Sequence, residues 1–134
     1  MFDIDHFKAV NDTYGHAIGD QVLKTIASVV AEHIRHVDML GRVGGEEFAV
    51  LATETLVESV LALAEKIRHA MEMTHYDHAG KITVSLGVAA YDNGLTLDEF
   101  VQRADETLYE AKHNGRNRVE CYGAFGDGSK RVQQ

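Results

Sequence analysis

The sequence predicts an α+β domain in which a mostly antiparallel central sheet is flanked by helices. Short apolar runs typical of strands alternate with longer segments whose apolar residues recur at helical spacing, in the order βαββαβαβ. Two of these runs, residues 39–43 and 46–52, lie so close together that they predict a β-hairpin and therefore antiparallel pairing. The 134 residues are enough for one domain with a hydrophobic core of its own.

The first half of the chain supplies three strands and one helix. Residues 2–5 form a short strand. Residues 18–35 are predicted to be helical because apolar residues recur on one face: Val22, Ile26, Val29, Val30 and Ile34. In the hairpin that follows, Gly44-Gly45 can supply the positive φ angles of a tight turn.

A second helix and a fourth strand come next. Residues 56–73 form an amphipathic helix whose apolar positions are Val60, Leu63, Ala64, Ile67 and Met71. Residues 82–91 form the strand. Gly87 lies inside this strand, which indicates either a bulge or the close approach of another backbone.

A third helix is predicted over residues 96–114. Thr96 and Glu99 have the spacing of a capping box at its start, and Gly115 is well placed to end it. Residues 118–122 then form the last strand. We expect residues 124–134 to be a flexible tail.

Composition excludes several classes of protein. The net charge of −8 argues against a protein that binds nucleic-acid polymers nonspecifically, because such a protein carries a basic face. There is no apolar run long enough for a membrane-spanning segment and no basic-then-apolar leader. The single cysteine, Cys121, has no second cysteine for an internal disulfide, which fits the reducing cytoplasm.

Carboxylates near the first strand and the hairpin predict a metal site. Because side chains alternate along a strand, Glu46 and Glu47 point to opposite faces, so only one of them can join Asp3. Two such carboxylates form a hard oxygen site of the kind that Mg²⁺ prefers, commonly in order to hold phosphates. The alternative is that Asp3 is a solvated acid at a strand end and that Glu46 is a turn residue.

Several blocks of residues then carry a family resemblance. In the first half they are Asp3-Ile4-Asp5-His6-Phe7-Lys8, Asn11-Asp12, Gly15-His16, Gly19-Asp20 and Arg42-Val43-Gly44-Gly45-Glu46-Glu47-Phe48. In the second half they are Ser85-Leu86-Gly87, Ala104-Asp105, Leu108-Tyr109, Ala111-Lys112 and Gly115-Arg116-Asn117. In this order and spacing they resemble the GGDEF family of diguanylate cyclases over residues 2–119.

The resemblance implies both a fold and a reaction. Members of the family have a palm-like fold with a ferredoxin-like βαββαβ core, and they condense two GTP molecules into cyclic di-GMP with release of two pyrophosphates. We expect residues 1–123 to be one GGDEF domain. The helix and the Leu-Thr-Gly-Leu-x-Asn-Arg-type segment that precede the first strand in the family are absent from this sequence.

By resemblance, the metal is Mg²⁺, with Mn²⁺ as a possible substitute. Its ligands are the Asp3 carboxylate, the Ile4 carbonyl oxygen and the Glu46 carboxylate. Glu46 is also the implied acceptor of the proton from the attacking ribose hydroxyl. Glu47 takes an orienting or nucleotide-contacting role, and Asp5 either joins the site or only supports the local backbone.

The resemblance places the guanine base at Asn11 and Asp20. An amide can pair with the guanine edge, and a carboxylate can accept from its N1–H and N2–H₂ groups, which adenine lacks. His16 is implied as a further substrate contact. Each residue also has a structural interpretation: Asn11 as a turn residue, Asp20 as an acid favoured by a helix dipole, and His16 as a hydrogen-bonding group.

The phosphates are assigned to backbone amides and cations. Phe7 and Lys8 follow the first strand, where N–H groups can meet phosphate oxygens. Lys112 and Arg116 lie four residues apart across the end of the third helix, and the resemblance implies that they neutralise charge on the triphosphate and pyrophosphate. The alternative for this pair is a helix C-terminus that carries cations for dipole reasons.

Arg35 and Asp38 resemble the Arg-x-x-Asp inhibitory site of many of these enzymes, at which product cyclic di-GMP binds. A solvated helix end is the alternative. Lys66 is a candidate basic contact from a neighbouring subunit.

The expected partners are GTP, cyclic di-GMP and a second copy of the chain, because each domain holds one GTP and the product joins two. The family also places a sensor module before the catalytic domain. Three other functions stay open. The chain could be a catalytically weak or silent module that binds GTP or cyclic di-GMP for regulation, a related palm enzyme that acts on ATP or makes a different cyclic dinucleotide, or a purely structural protein.

Overall fold

A computed structural model describes residues 1–123, 125–126 and 129–130 of the chain. Its strands are β1 (Phe2–Ile4), β2 (Met39–Arg42), β3 (Glu47–Leu51), β4 (Val84–Val88), β5 (Val119–Cys121), β6 (Phe125–Gly126) and β7 (Ser129–Lys130). Four helices lie in this described part: α1 (Phe7–Tyr14), α2 (His16–His33), α3 (Val57–Met73) and α4 (Leu97–His113).

The main sheet has five strands in the order β2-β3-β1-β4-β5. Neighbouring strands are antiparallel except β4 and β5, which pair in parallel. The first four strands, with α2 and α3 as their connections, form the βαββαβ arrangement of a ferredoxin-like fold. This confirms the predicted α+β class and its mostly antiparallel sheet.

One face of the sheet carries the hydrophobic core. Phe2 of β1 pairs with Phe48 of β3 and Leu86 of β4, and the Phe2 and Phe48 rings stack with centroids 5.1 Å apart. The core continues into α2 through Val22, Ile26 and Val30, and into α3 through Ala64, Ile67 and Met71. These helical positions are the periodic apolar residues of the sequence, so the same pattern that predicts the helices also determines which face they bury.

The opposite face of the sheet holds α4. Gly87 of β4 points to this face because it alternates with Leu86. A Cβ at Gly87 would lie 2.3 Å from the Leu108 nitrogen and 2.8 Å from the Ala104 oxygen, so the helix backbone rests directly on the glycine. The close backbone approach predicted for Gly87 is therefore observed. It brings the inner face of α4 onto the sheet beside β1.

Most predicted elements form, with small shifts at their ends. Helix α4 begins with the predicted capping box, in which Thr96 Oγ1 accepts from the Glu99 N–H at 3.1 Å and Glu99 accepts from the Thr96 N–H at 2.9 Å. Strand β4 is shorter than the predicted 82–91. The predicted tail overlaps β6 and β7, which pair with each other, and its remaining residues lie outside the described part of the chain.

Two local expectations are corrected. The sequence pattern predicts no helix before residue 18, but α1 forms over Phe7–Tyr14 and buries Phe7 and Val10. The hairpin does not use positive φ angles at Gly44-Gly45. Instead its loop spans residues 43–46, and the Val43 N–H donates to the Glu47 oxygen at 2.8 Å.

Candidate active site

The centre of the site is a contact between β1 and α4. Asp3 is only 6% exposed, and its Oδ2 accepts a hydrogen bond from the Lys112 ammonium. The other carboxylate oxygen, Oδ1, is buried and has no hydrogen-bond partner among the described residues. A buried carboxylate oxygen without a donor is energetically costly, and a bound cation would satisfy it.

The strand register determines which hairpin carboxylate lies beside Asp3. Asp3 pairs directly with Glu47, and paired residues project to the same face of a sheet. Glu46 precedes β3 in the loop, where its backbone oxygen accepts from the Ile4 N–H at 3.3 Å. The register thus selects Glu47 as the neighbour of Asp3, whereas the resemblance points to Glu46.

A third acidic side chain, that of Asp105, reaches the site from α4. Burial raises the pKa of Glu47, and the negative charges of Asp105 and Asp3 raise it further. Asp105 precedes Lys112 by seven residues, so the two lie on the same face of the helix. We call Asp3, Glu47, Asp105 and Lys112 the carboxylate–lysine cluster. Asp105 lies in the Ala104-Asp105 block of the sequence, but no role in the site was predicted for it, although its heptad spacing from Lys112 is visible.

The oxygen atoms that this cluster offers as ligands fit Mg²⁺. Carboxylate and backbone oxygens are the ligands this ion prefers, and it commonly uses one or two carboxylates together with substrate phosphates. Within the described part of the chain, no group of three His, Cys, Asp or Glu side chains could hold a metal by itself. The Ile4 side chain is buried in the core, so only its backbone carbonyl is available as a ligand.

The start of α1 places backbone amides next to β1. The Phe7 ring lies in the core, so only the backbone of Phe7 is available to a substrate. Lys8 is exposed and pairs with Asp12 one turn later, at 3.0 Å. The first N–H groups of a helix lack intrahelical acceptors, and they bind anions such as phosphate.

Asn11 packs against Gly19, the residue before Asp20. A Cβ at Gly19 would lie 1.9 Å from the Asn11 Oδ1, so the Asn11 amide packs against the glycine that immediately precedes Asp20. Gly15, with φ 92°, makes the turn that brings α2 back against α1. His16 is exposed in the first turn of α2. The structure therefore places Asn11 against the residue next to Asp20, and Asp20 itself is exposed near the start of α2.

Arg116 lies in the turn between α4 and β5, and its side chain is exposed. The next residue, Asn117, donates its backbone N–H to the Asp5 Oδ2 at 3.1 Å. Because Asp5 is two residues beyond Asp3, this turn is adjacent to the carboxylate–lysine cluster. Asp5 also accepts from Thr83 and Ser85 at 2.7 and 2.6 Å, so it supports the backbone as one of the two sequence interpretations has it.

Arg35 and Asp38 form a closed ion pair before β2. Arg35 Nη2 lies 2.7 Å from Asp38 Oδ1, and the Arg35 N–H donates to Asp38 Oδ2 at 2.8 Å. The Asp38 side chain is 1% exposed and that of Arg35 is 48% exposed. The guanidinium lowers the pKa of Asp38 chiefly through this hydrogen bond. Lys66 is exposed on α3.

An apolar cavity of about 320 Å³ lies elsewhere, between β3, β4, α3 and α4. Its lining includes Leu51, Ile67, Leu86 and Phe100, and all of the lining side chains are uncharged. A polyphosphate requires cations and N–H donors, so this cavity does not suit one. The polar surface around Asp3, with Lys112 and the N–H groups of α1 nearby, suits a polyphosphate better.

The chain matches a known protein family. The sequence profile of the family described as "Diguanylate cyclase, GGDEF domain" matches residues 1–118. The chain belongs to the GGDEF domain family.

Among curated proteins, it is 48% identical over 125 residues to the "Probable diguanylate cyclase DgcT" of Escherichia coli K12. It is 46% identical over 123 residues to "Diguanylate cyclase A" of Treponema denticola. The matches cover 89% of this chain but 28% and 33% of those proteins, so the chain spans about a third of their length or less.

Solved GGDEF structures share the fold. One is the active GGEEF domain of a diguanylate cyclase from Vibrio cholerae, with a TM-score of 0.85, 37% identity and coverage of 90% of this chain and 79% of that one. Another is the GGDEF domain of DgcB from Caulobacter crescentus in complex with c-di-GMP, with a TM-score of 0.83, 38% identity and coverage of 90% and 74%. No helix in the described part of this GGDEF domain is long and apolar enough to cross a membrane.

Proposed function

We propose that this GGDEF domain is a metal-dependent diguanylate cyclase that condenses two GTP molecules into cyclic di-GMP and two pyrophosphates. One observation carries the proposal: the buried Asp3 carboxylate has an unpartnered oxygen, beside Glu47 and next to Lys112. This arrangement suits a cation and the phosphates it binds. The reaction belongs in the cytoplasm, in line with the single cysteine of the sequence.

The residues present fit Mg²⁺, with Mn²⁺ as a substitute. Asp3, the Ile4 carbonyl and a hairpin carboxylate would hold the ion. The register favours Glu47 for this carboxylate, which leaves Glu46 as the candidate proton acceptor for the ribose 3′-hydroxyl. When bound, the ion neutralises phosphate charge and makes the attacking hydroxyl more acidic.

The remaining contacts belong to the nucleotide. Asn11 and Asp20 pair with the guanine edge, with His16 nearby as a further contact. The N–H groups at the start of α1, including those of Phe7 and Lys8, donate hydrogen bonds to phosphate oxygens. Lys112 and Arg116 neutralise the charge that develops on the leaving pyrophosphate.

Two copies of the domain are needed for the product. Each 3′-oxygen forms a bond to the α-phosphorus of the opposite GTP, each hydroxyl proton passes to a base, and each pyrophosphate leaves with the bonding electrons. An antiparallel homodimer brings the two half-sites face to face, so that proximity makes the main contribution to the rate. A sensor module would control this encounter.

Arg35 and Asp38 are the proposed site of product inhibition. Their ion pair already uses the guanidinium fork and the carboxylate, so cyclic di-GMP must share or open these hydrogen bonds in order to bind. If the domain proves catalytically silent, a regulatory module that binds cyclic di-GMP at this pair is the second candidate.

The test is incubation of concentrated protein with GTP and Mg²⁺, followed by chromatography for cyclic di-GMP. We expect product from the wild type, and none from Asp3→Asn or Glu47→Gln. Replacing GTP by ATP should give no cyclic dinucleotide. Specific activity should rise with protein concentration, since the dimer is required. Product formation that does not depend on metal would contradict the assignment of Asp3.

A further inference from the structure

The turn after α4 has an unusual backbone. Gly115, Arg116 and Asn117 have successive φ angles of 124°, 64° and 46°. Side chains disfavour this left-handed region, so two consecutive non-glycine residues in it require support from their surroundings. Since Arg116 is one of them, whatever supports the turn also determines where its guanidinium is presented.

Support from the sheet side comes from Asp5. This residue is 6% exposed, and its Oδ2 accepts the Asn117 N–H at 3.1 Å. The same carboxylate is fixed by hydroxyl donors from β4 and the residue before it, Ser85 at 2.6 Å and Thr83 at 2.7 Å. The turn is therefore attached to the strand that carries Asp3.

Support from the other side comes from α3. The Asn117 side chain accepts from Arg68 Nη1 at 3.0 Å and donates to Glu72 Oε2 at 3.0 Å. Arg68 and Glu72 also contact each other at 3.2 Å. Asn117 thus bridges Arg68 and Glu72, which form an ion pair one helical turn apart on α3. Both the oxygen and the nitrogen of its side-chain amide are hydrogen-bonded.

We propose that Asn117 is a positioning residue for Arg116. Its N–H and both polar atoms of its side chain are hydrogen-bonded to Asp5, Arg68 and Glu72, so none of them is free to contact the substrate. Asn117 therefore acts on the substrate only through the adjacent arginine. Asp5 and the Arg68–Glu72 pair hold it from opposite sides and keep Arg116 beside the carboxylate–lysine cluster. This inference rests on the proposed function, in which Arg116 contacts the GTP phosphates.

A double-mutant cycle tests it. The dissociation constant for GTP with Mg²⁺ is measured by calorimetry for the wild type, Arg116→Ala, Asn117→Ala and the double variant. A lost charge-assisted contact weakens binding by about tenfold or more. We expect both single variants to show such a loss and the double variant to bind GTP no more weakly than Arg116→Ala. Losses that multiply in the double variant would show that Asn117 acts independently and would overturn the inference.

Two further variants separate positioning from folding. Asn117→Gly keeps the N–H and tolerates φ 46°, so it should fold normally and lose only the bridge to α3. Its loss of affinity for GTP should be smaller than that of Asn117→Ala. Glu72→Gln weakens the bridge from the α3 side, and its effect should also vanish in the Arg116→Ala background.

Asn114→Ala is the matched control, because Asn114 lies in the same turn and its side chain donates instead to Glu120, at 3.1 Å. Its affinity for GTP should equal that of the wild type. Wild-type protein that binds no GTP would overturn the proposed function together with this inference. Wild-type binding with independent losses would overturn the inference alone.

Discussion

The Asp3 carboxylate on β1 accepts a hydrogen bond from the Lys112 ammonium on α4, although the two residues lie 109 positions apart in the sequence. This contact joins the first strand of the sheet to the last turn of α4. It also gives Lys112 two functions in the proposed reaction. Without a divalent cation it neutralises Asp3, and with nucleotide bound it is available to the phosphates.

Lys112→Met should therefore have opposite effects on folding and on metal binding. Without the ammonium, Asp3 is a buried carboxylate with neither oxygen paired, so we expect the free energy of unfolding in EDTA to fall by about 1–3 kcal/mol. Binding of Mn²⁺ without nucleotide should become tighter, because the ion no longer competes with Lys112. Urea unfolding and electron paramagnetic resonance of Mn²⁺ measure the two quantities. Lys24→Met removes an exposed lysine of α2 as the control, and a Lys112→Met variant that binds Mn²⁺ more weakly would contradict the competition.

Gly19→Ala should disturb the base site without unfolding the protein. The new Cβ would meet the Asn11 Oδ1 at 1.9 Å, and since Asn11 is a flexible side chain, its amide must move away. Alanine is otherwise favoured over glycine within a helix, by about 1 kcal/mol. We expect GTP to bind about tenfold more weakly, as for the loss of one or two buried hydrogen bonds to the base, with little change in melting temperature.

Gly41→Ala is the matched control for this experiment. Gly41 lies in β2, and a Cβ there would meet no atom within 4 Å. Its GTP affinity should remain that of the wild type. If Gly19→Ala also binds GTP normally, the assignment of Asn11 to the guanine base is wrong.

Elements with strong periodicity or defined caps were predictable from the sequence. The apolar positions of α3 are those that pack on the sheet, and the capping box of α4 forms as Thr96 and Glu99 indicate. Helix α1 was not predictable in this way. It has eight residues, its N-cap His6 is left-handed at φ 58°, and no side chain caps it. Packing of Phe7 and Val10 stabilises it, and packing is a tertiary effect.

The sequence predicted which residues belong to the candidate site better than it predicted how they are arranged. The alternation of strand residues excluded a site with both Glu46 and Glu47 beside Asp3, but it did not select one of them. That choice depends on the register of β1 against β3, which pairs Asp3 with Glu47. Asp105 lies in one of the family blocks, but its role in the site depends on α4 crossing the sheet at Gly87, a tertiary contact that the sequence pattern does not show.

Gly87→Ala should destabilise the whole domain. The added Cβ would overlap backbone atoms of α4, with the Leu108 nitrogen at 2.3 Å, so neither element can yield by rotating a side chain. Overpacking of this kind costs about 1–3 kcal/mol. Because α4 also carries Lys112, we expect activity to fall together with stability. Urea unfolding measures the cost, with Gly41→Ala again as the control, and an unchanged unfolding midpoint would show that α4 does not rest on Gly87 as described.

Asp38→Asn should reduce stability in a way that depends on pH. Arg35 lowers the pKa of Asp38 below its ordinary value of 3.8, so in the folded protein the carboxylate is stabilised relative to the unfolded chain. This contribution is fully present above the unfolded pKa and is lost as the pH falls through the lower folded pKa. The wild type should therefore exceed Asp38→Asn in free energy of unfolding at neutral pH, and the difference should shrink below pH 3.8. Urea titrations across this range measure it, with the exposed Asp92→Asn as the control. A difference that stays constant with pH would show that the Arg35–Asp38 pair does not stabilise the charged carboxylate.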